Sequence, residues 1–251
     1  MAVCLAAAWN GCAPAPAGLG PERSDGRAVV ARAVRAHGGL DRWRGYETVT
    51  FHYSERWFPP AAWLGLNPWP RNPIQGTMTL WLHREASAIR FGGQAARQFL
   101  VRDRGGGREL EVSGPDGKPP KLDWKGEFAL PRTRYITLLP WRFLDRGARI
   151  EYRGRNKGYE VVLITFAPGT GVTPEDRYEA FFDAATGVLS RVVLTVTAYG
   201  RWAVGDLRYE DWLRVRGLLM PGRIRAYWNG TPLPLHLGEY SGYRLRYAAG
   251  E

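Results

Sequence analysis

The side chains that could support catalysis or metal binding are few and widely spaced in this sequence. Both cysteines, Cys4 and Cys12, lie in the first twelve residues, so the remainder has no thiolate ligand, no cysteine nucleophile and no disulfide. The four histidines share no metal-ligand spacing along a helix. There is also no Gly-x-Ser-x-Gly motif and no phosphate-binding loop. We therefore expect no catalytic residues, no metal and no cofactor.

Two polar sites could still form through tertiary contacts. His52 and His83 could meet on adjacent strands beside Glu55 and hold a metal. Residues 207–216 alternate as one strand, with Leu207, Tyr209 and Leu213 on its apolar face and Trp212 on the other. Asp211 falls on the apolar face, so it either pairs with an arginine in the interior or marks a β-bulge. A hydrolase would need Asp211 together with His52 or His83, and it is our third hypothesis for function.

The stronger candidates for a functional site are apolar. Residues 56–73 contain five prolines, so this segment is predicted to be a long loop. A solvated loop rarely carries so many large apolar side chains; either it covers a cavity as core, or it controls ligand access or dips into a bilayer. Residues 127–145 are predicted to form a broken helix that plugs the concave side of a sheet. The candidate cavity or gating residues are Trp57, Phe58, Trp63, Leu64, Leu66 and Trp69 in the loop, and Phe128, Leu139, Trp141 and Phe143 in the plug.

The elements that must position these residues follow from the hydrophobic period. A helix capped by Ser24 or Asp25 should run to His37, where two glycines end it. From Tyr46 onward the period is mostly two, so that Phe51, Tyr53, Glu55 and Trp57 share one side of the first strand. Turn signals separate about eleven such strands. The strands follow one another too closely for helical crossovers, so the sheet should be antiparallel. So many strands must curl or close, which predicts a single α+β, mainly β domain built on one antiparallel sheet.

The charge of the chain argues against one class of partner. Its 35 basic and 24 acidic residues give a net charge of +11. Nucleic-acid-binding proteins usually concentrate such charge in arms, helix faces or loops. Here the arginines alternate with apolar residues along predicted strands, as in Arg223 and Arg225. We therefore expect a solvated outer sheet face and no nucleic-acid partner.

The N-terminal residues predict export to the cell envelope. Residues 1–12 form a short apolar leader that ends at Cys12, and residues 13–24 form a Pro- and Gly-rich flexible linker before a domain over 25–251. This arrangement resembles a bacterial lipoprotein signal, in which the cysteine carries the lipid, although a positive n-region is missing. A cleaved export signal and an ordinary N-terminal tail are the alternatives.

Three strings in the body together resemble a known superfamily. They are AVRAHGGLDRW through YETVTFHY (33–53), LLPWRFLDRGARIEYRG (138–154) and VVLITFAPGTGVTPEDRYEAFFDAATGVLSRV (161–192). Over residues 28–230 the chain resembles an uncharacterised family of exported bacterial proteins grouped with the lipoprotein carriers LolA, LolB and LppX. The resemblance implies an unclosed antiparallel half-barrel with helices over its concave face. It also implies a hydrophobic cavity, which in the carriers holds acyl chains.

Together these features predict a non-enzymatic protein that faces the periplasm and binds an acyl chain, lipid or other apolar ligand. It would be monomeric and tethered to the outer membrane or free in the periplasm, with a role in lipid or lipoprotein trafficking or in envelope maintenance. The alternative is a structural or interaction module of the envelope whose cavity is filled by side chains.

Overall fold

The computed structural model describes most of the body of the chain. Of residues 98–103, 108–113 and 124–128 it describes the backbone alone, and the predicted leader and linker, with Cys12, lie outside the described residues. The described ranges are 25–69, 71–91, 98–103, 108–113, 124–167, 176–200, 202–228 and 230–248.

The described residues form three α-helices, two short 3₁₀ helices and fourteen strands. The helices are α1 (Gly26–Ala36), α2 (Leu40–Arg44) and α3 (Trp124–Thr137), and the 3₁₀ helices are Trp141–Leu144 and Thr197–Tyr199. The strands are β1 (Tyr46–Trp57), β2 (Ile74–Trp81), β3 (Ala86–Phe91), β4 (Gln98–Asp103), β5 (Arg108–Ser113), β6 (Ala148–Asn156), β7 (Tyr159–Phe166), β8 (Tyr178–Asp183), β9 (Leu189–Thr195), β10 (Val204–Glu210), β11 (Leu213–Val215), β12 (Leu218–Met220), β13 (Arg223–Trp228) and β14 (Pro234–Tyr247).

Twelve of these strands form one antiparallel sheet that does not close into a barrel. Its order is β5-β4-β3-β2-β1-β14-β13-β10-β9-β8-β7-β6, and β11 and β12 pair separately. The last strand, β14, lies beside the first, and their register places Tyr53 opposite Tyr240 and Trp57 opposite His236. The predicted unclosed antiparallel half-barrel is confirmed, with slightly more strands than expected.

Helix α1 begins and ends where its sequence predicts. The Asp25 side chain caps it by accepting a hydrogen bond from the Arg27 amide at 2.9 Å. The apolar stripe that includes Val30, Ala33 and Val34 is buried, and the helix contacts β6 and β7. Amphipathic patterning and a capping carboxylate are therefore enough to place this helix on the sheet.

The side chains of β1 alternate between the two sides of the sheet. Phe51, Tyr53, Glu55 and Trp57 are buried, whereas His52 is exposed. On the outer face of β9, β10 and β13, arginines make ion pairs, such as those of Arg191 and Arg208 with Asp206 and those of Arg223 and Arg225 with Glu210. The +11 charge thus includes a largely solvated and partly neutralised face.

The predicted continuation of the strand through Asp211 is wrong. β10 ends at Glu210, and the next residue, Asp211, adopts φ 54°. Its side chain is exposed and pairs with Arg223 at 3.1 Å, so it does not reach the interior. The faces then exchange: Leu213 is exposed, whereas Trp212 stacks on Tyr209 with ring centroids 5.5 Å apart.

The predicted broken helical plug is present as α3 followed by the 3₁₀ turn at Trp141–Leu144. From Ala129 onward α3 is buried on nearly all sides, with Arg132 the most exposed side chain. Trp141 stacks on Trp43 with ring centroids 4.4 Å apart, and Leu139 and Phe143 are fully buried. In the part of the chain that the structure describes, no helix is long and apolar enough to cross a membrane.

Candidate functional site

An apolar cleft lies between α3 and the strands at one end of the half-barrel. It holds about 890 Å³ of space between atoms, part of which is open to solvent. Its lining residues come from the loop between β1 and β2, which we name the aromatic loop, and from α3, strands β1, β8, β9, β10, β13 and β14 and their connections. They are Trp57, Leu66, Arg132, Tyr135, Ile136, Asp176, Tyr178, Leu194, Val196, Tyr199, Trp202, Ala203, Val204, Gly205, Leu207, Ala226, Trp228, Leu235 and His236.

The apolar walls of this cleft come from inward positions of neighbouring strands. Leu207 on β10 is opposite Ala226 on β13, and Gly205 on β10 is opposite Leu194 on β9. A Cβ atom added to Gly205 would meet only Leu194 Cδ2, at 3.6 Å. The small residues Gly205 and Ala226 therefore leave space that larger side chains would fill.

The mouth of the cleft lies where three loops meet. Trp57 at the end of β1 is opposite His236 near the start of β14, and Gly205 near the start of β10 is opposite Trp228 at the end of β13. The loops after β1, β9 and β13 consequently lie at the same end of the sheet. Trp202 and Trp228 pack with ring centroids 5.4 Å apart at this mouth.

The aromatic loop is fixed to this end by hydrogen bonds. The Phe58 amide donates to the Leu235 carbonyl at 2.9 Å, and the Tyr199 hydroxyl donates to the Leu66 carbonyl at 3.2 Å. Asn72 exchanges two hydrogen bonds with the Trp57 backbone, each at 2.8 Å. The loop therefore has a defined position against the cleft.

One wall of the cleft carries a buried polar cluster around Glu55. Arg132 from α3 donates to both Glu55 oxygens, at 2.8 and 3.1 Å. His236 from β14 places Nδ1 2.9 Å from Glu55 Oε1, and the Trp69 indole N–H donates to Oε2. The side chain of Glu55 is 0% exposed and that of Arg132 is 11% exposed. We name Glu55, Arg132, His236 and Trp69 the Glu55 cluster.

The electrostatics of the Glu55 cluster favour one charged pair and a neutral imidazole. Burial alone would raise the pKa of Glu55, but the Arg132 guanidinium and His236 hold it well below its usual value. Burial would lower the pKa of Arg132, yet the Glu55 carboxylate raises it. Burial lowers the pKa of His236 despite its contact with Glu55. At neutral pH the cluster therefore has a carboxylate, a guanidinium and an uncharged histidine.

Three donors among the residues that line the cleft lack an acceptor. Trp57 Nε1, Arg132 Nε and the Tyr135 hydroxyl are buried and make no hydrogen bond within the part of the chain that the structure describes. The rings of Trp57 and His236 stack with centroids 4.6 Å apart, and Arg132 Cζ lies 5.8 Å from the Trp57 ring centre. An unpaired buried donor costs about 1–3 kcal/mol, so such atoms next to a cavity are uncommon.

The structure brings only some of the predicted site residues to the cleft. Trp57 and Leu66 line it, Trp69 supports it through Glu55, and Phe58 is half-buried beside it. Trp63 and Leu64 are 81% and 71% exposed and lie outside it. The plug residues Leu139, Trp141 and Phe143 pack in the core and do not line this cleft, and the side chain of Phe128 lies outside the described residues.

The metal site and the hydrolase site that the sequence allowed do not form. His52 is exposed on the outer face, and His83 Nε2 lies 3.0 Å from the Arg44 carbonyl oxygen. Glu55 contacts His236 instead, and Asp211 points to solvent, so the predicted combination of Asp211 with His52 or His83 is wrong. Among the described residues, no group of three or more His, Cys, Asp or Glu side chains is arranged to hold a metal.

Sequence reasoning missed Arg132, His236 and the two mouth tryptophans, Trp202 and Trp228. The signal for the polar cluster was available at Glu55, because a carboxylate at an inward position of an otherwise apolar strand needs a buried partner. Nothing in the local sequence indicated which of the 35 basic residues would supply it.

Known proteins resemble this chain in fold but not in sequence. No protein-family model and no curated protein matches the sequence. A DUF1329 family protein from Desulfovibrio piger is 14% identical, with TM-score 0.58 over 90% of this chain and 94% of that chain.

Two further solved structures share the fold at TM-score 0.52. A LolA superfamily protein from Nitrosomonas europaea is 11% identical over 89% of this chain and 94% of that chain. A domain described as an outer membrane lipoprotein-sorting protein, from Vibrio parahaemolyticus, is 8% identical over 90% of this chain and 96% of that chain. The open twelve-stranded sheet, its covering helices and these likenesses together identify the fold of the chain as LolA-like.

Proposed function

We propose that this protein binds an acyl chain or similar apolar part of a lipid or lipoprotein in the cleft, without catalysing a reaction. The observation that carries the proposal is the apolar cleft itself, which opens at one end of the sheet between α3 and the strands. Each methylene that moves from water into such a cleft contributes about 0.8 kcal/mol. A chain of several methylenes would therefore provide enough free energy for stable binding.

The setting we propose is the bacterial cell envelope, with Cys12 as a lipid anchor. The cysteine-terminated leader supports this setting, and so does the likeness to a domain described as an outer membrane lipoprotein-sorting protein. The intact mass of protein purified from the envelope tests the anchor. Loss of residues 1–11 with acyl chains on Cys12 is expected, and a mass equal to the unprocessed chain would contradict it.

A membrane surface is the second partner that we propose, contacted by the rim of the cleft. Trp63, Leu64, Trp202 and Leu233 are all at least 50% exposed, and all lie on the loops at the end of the sheet where the cleft opens. Exposed arginines flank these loops, at Arg56, Arg71 and Arg177. Tryptophan suits the headgroup region, and each arginine near an anionic surface adds about 1 kcal/mol.

The binding proposal is tested by native mass spectrometry of the full chain purified from the envelope of a bacterium that exports it. We expect a co-purified lipid in the wild-type protein and saturable binding of a fluorescent acyl probe. Gly205→Leu should fill the cleft and abolish both, while Gly45→Leu is a matched control, because Gly45 is exposed at the other end of β1 and a Cβ there meets only ordinary contacts. Ligand-free wild-type protein that binds no probe would favour a structural module instead.

The membrane contact is tested by co-sedimentation of the full chain with vesicles of phosphatidylcholine and phosphatidylglycerol. We expect Trp63→Ser combined with Leu64→Ser to reduce the bound fraction. Leu213→Ser is the control, because Leu213 is also exposed but lies at the opposite end of the sheet. Equal sedimentation of the two variants would contradict a specific role of the rim.

A further inference from the structure

We propose that the polar wall of the cleft selects an amphiphile whose head is an uncharged hydrogen-bond acceptor, such as an ester or amide carbonyl, over one with a free carboxylate. This inference rests on the proposed function, because it assumes that the apolar cleft holds the tail. It adds the chemical class of the head and names the residues that recognise it.

The acceptor requirement follows from two of the three unpaired donors, which lie next to each other. Trp57 Nε1 and Arg132 Nε belong to residues that line the cleft side by side, and within the described residues neither nitrogen has an acceptor. The remaining Arg132 donors are already directed at Glu55, Thr133 and His236. A carbonyl oxygen on the ligand would supply the acceptor that the wall lacks.

The preference for an uncharged head follows from the charge balance of the same wall. The guanidinium of Arg132 is already matched by the carboxylate of Glu55, which accepts from it through both oxygens. His236 is buried against that pair, and Asp176 adds a second carboxylate to the lining, where it accepts from the Thr197 amide. Among the described lining residues there is no further cation.

An anionic head would therefore enter a buried site without surplus positive charge. Removing an ion from water without a matching partner costs several kcal/mol, whereas a neutral carbonyl needs only its hydrogen bonds. A carboxylate ligand could bind only by taking a proton itself or by causing His236 to take one. The preference for the neutral carbonyl head over the carboxylate head should consequently weaken as the pH falls.

The test compares two ligands with the same tail. Displacement of a fluorescent acyl probe is measured at pH 8 with a monoacylglycerol and with the fatty acid of equal chain length, each below its micelle concentration. We expect the wild-type protein to bind the monoacylglycerol at least tenfold more tightly. Equal affinities, or tighter binding of the fatty acid, would overturn the inference. If neither ligand displaces the probe and no probe binds, the proposed function fails first.

Two variants separate the charge balance from the donor. Glu55→Gln leaves the Arg132 charge unmatched and should shift the preference toward the fatty acid by at least tenfold. Trp57→Phe keeps an aromatic ring but removes the N–H, so it should weaken binding of the monoacylglycerol about tenfold. Trp43→Phe is the matched control, because Trp43 is buried against Trp141 away from the cleft. An unchanged preference in Glu55→Gln together with unchanged affinity in Trp57→Phe would refute the role of this wall.

Discussion

Removal of one charge from the Glu55 cluster is the perturbation whose size follows most directly from the structure. Glu55→Gln preserves the shape of the side chain and leaves the guanidinium of Arg132, 11% exposed, without its counter-ion. Breaking a buried ion pair in this way costs about 3–5 kcal/mol, because the remaining charge stays buried. Arg132→Met should cost a similar amount at neutral pH, because Glu55 is then buried without a cation.

The double variant should be more stable than the sum of the two single effects predicts. With both charges removed, no ion remains buried, so we expect a coupling energy of about 2–3 kcal/mol or more. The pH dependence has a defined sign. Because the pKa of Glu55 is lowered from 4.5, the pair stabilises the fold above that pH, and the stabilisation is lost as the pH falls below it.

The assay is urea unfolding at pH 7, followed by tryptophan fluorescence and by circular dichroism. The control is Glu47→Gln, since Glu47 pairs with Arg246 at 3.1 Å on the surface, where such pairs contribute about 0–1 kcal/mol. If Glu55→Gln lowers the free energy of unfolding no more than Glu47→Gln does, the buried pair does not stabilise the fold as proposed. Additive effects of Glu55→Gln and Arg132→Met would refute the coupling even if each single variant is unstable.

Two further predictions concern the N-terminal helix. Burial lowers the pKa of His37 from 6.5 to about 4, so stability should decrease as the pH falls through this window, by about 3 kcal/mol in total. His37→Gln should lack that component in urea titrations, while His52→Gln, on the exposed face, should retain it. Gly38 and Gly39 both adopt positive φ, but only at Gly38 would a Cβ meet backbone, at 2.4 Å from the Gly217 oxygen. Gly38→Ala should therefore lower the midpoint of thermal unfolding clearly more than Gly39→Ala, and equal shifts would show that backbone strain alone decides the cost.

Much of the fold was predictable because its signals are local. The alternation along β1 is a property of neighbouring residues, and it correctly placed Phe51, Tyr53, Glu55 and Trp57 on one side. The cap at Asp25 and the two glycines after His37 bounded α1 in the same way. Short connections excluded helical crossovers, and so the antiparallel order followed.

The prediction failed where one backbone conformation interrupts a pattern. The alternation of residues 207–216 looks continuous in sequence, yet Asp211 takes φ 54° and Arg216 takes φ 48°. Aspartate tolerates this left-handed region better than most residues, but its presence does not demand it. The exchange of faces at Trp212 and Leu213 therefore became visible only in the tertiary structure.

The sequence by itself determined that the interior would be apolar, aromatic and thiol-free. It also located the apolar segment 56–73, which contains Trp57, Leu66 and Trp69. Which basic group meets Glu55, and which loops surround the cleft, was decided by the fold. Arg132 is 77 residues from Glu55, and the pairing of β1 with β14 brings His236 opposite Trp57. Partners this far apart carry no local pattern, because their proximity depends on how the whole sheet curves around α3.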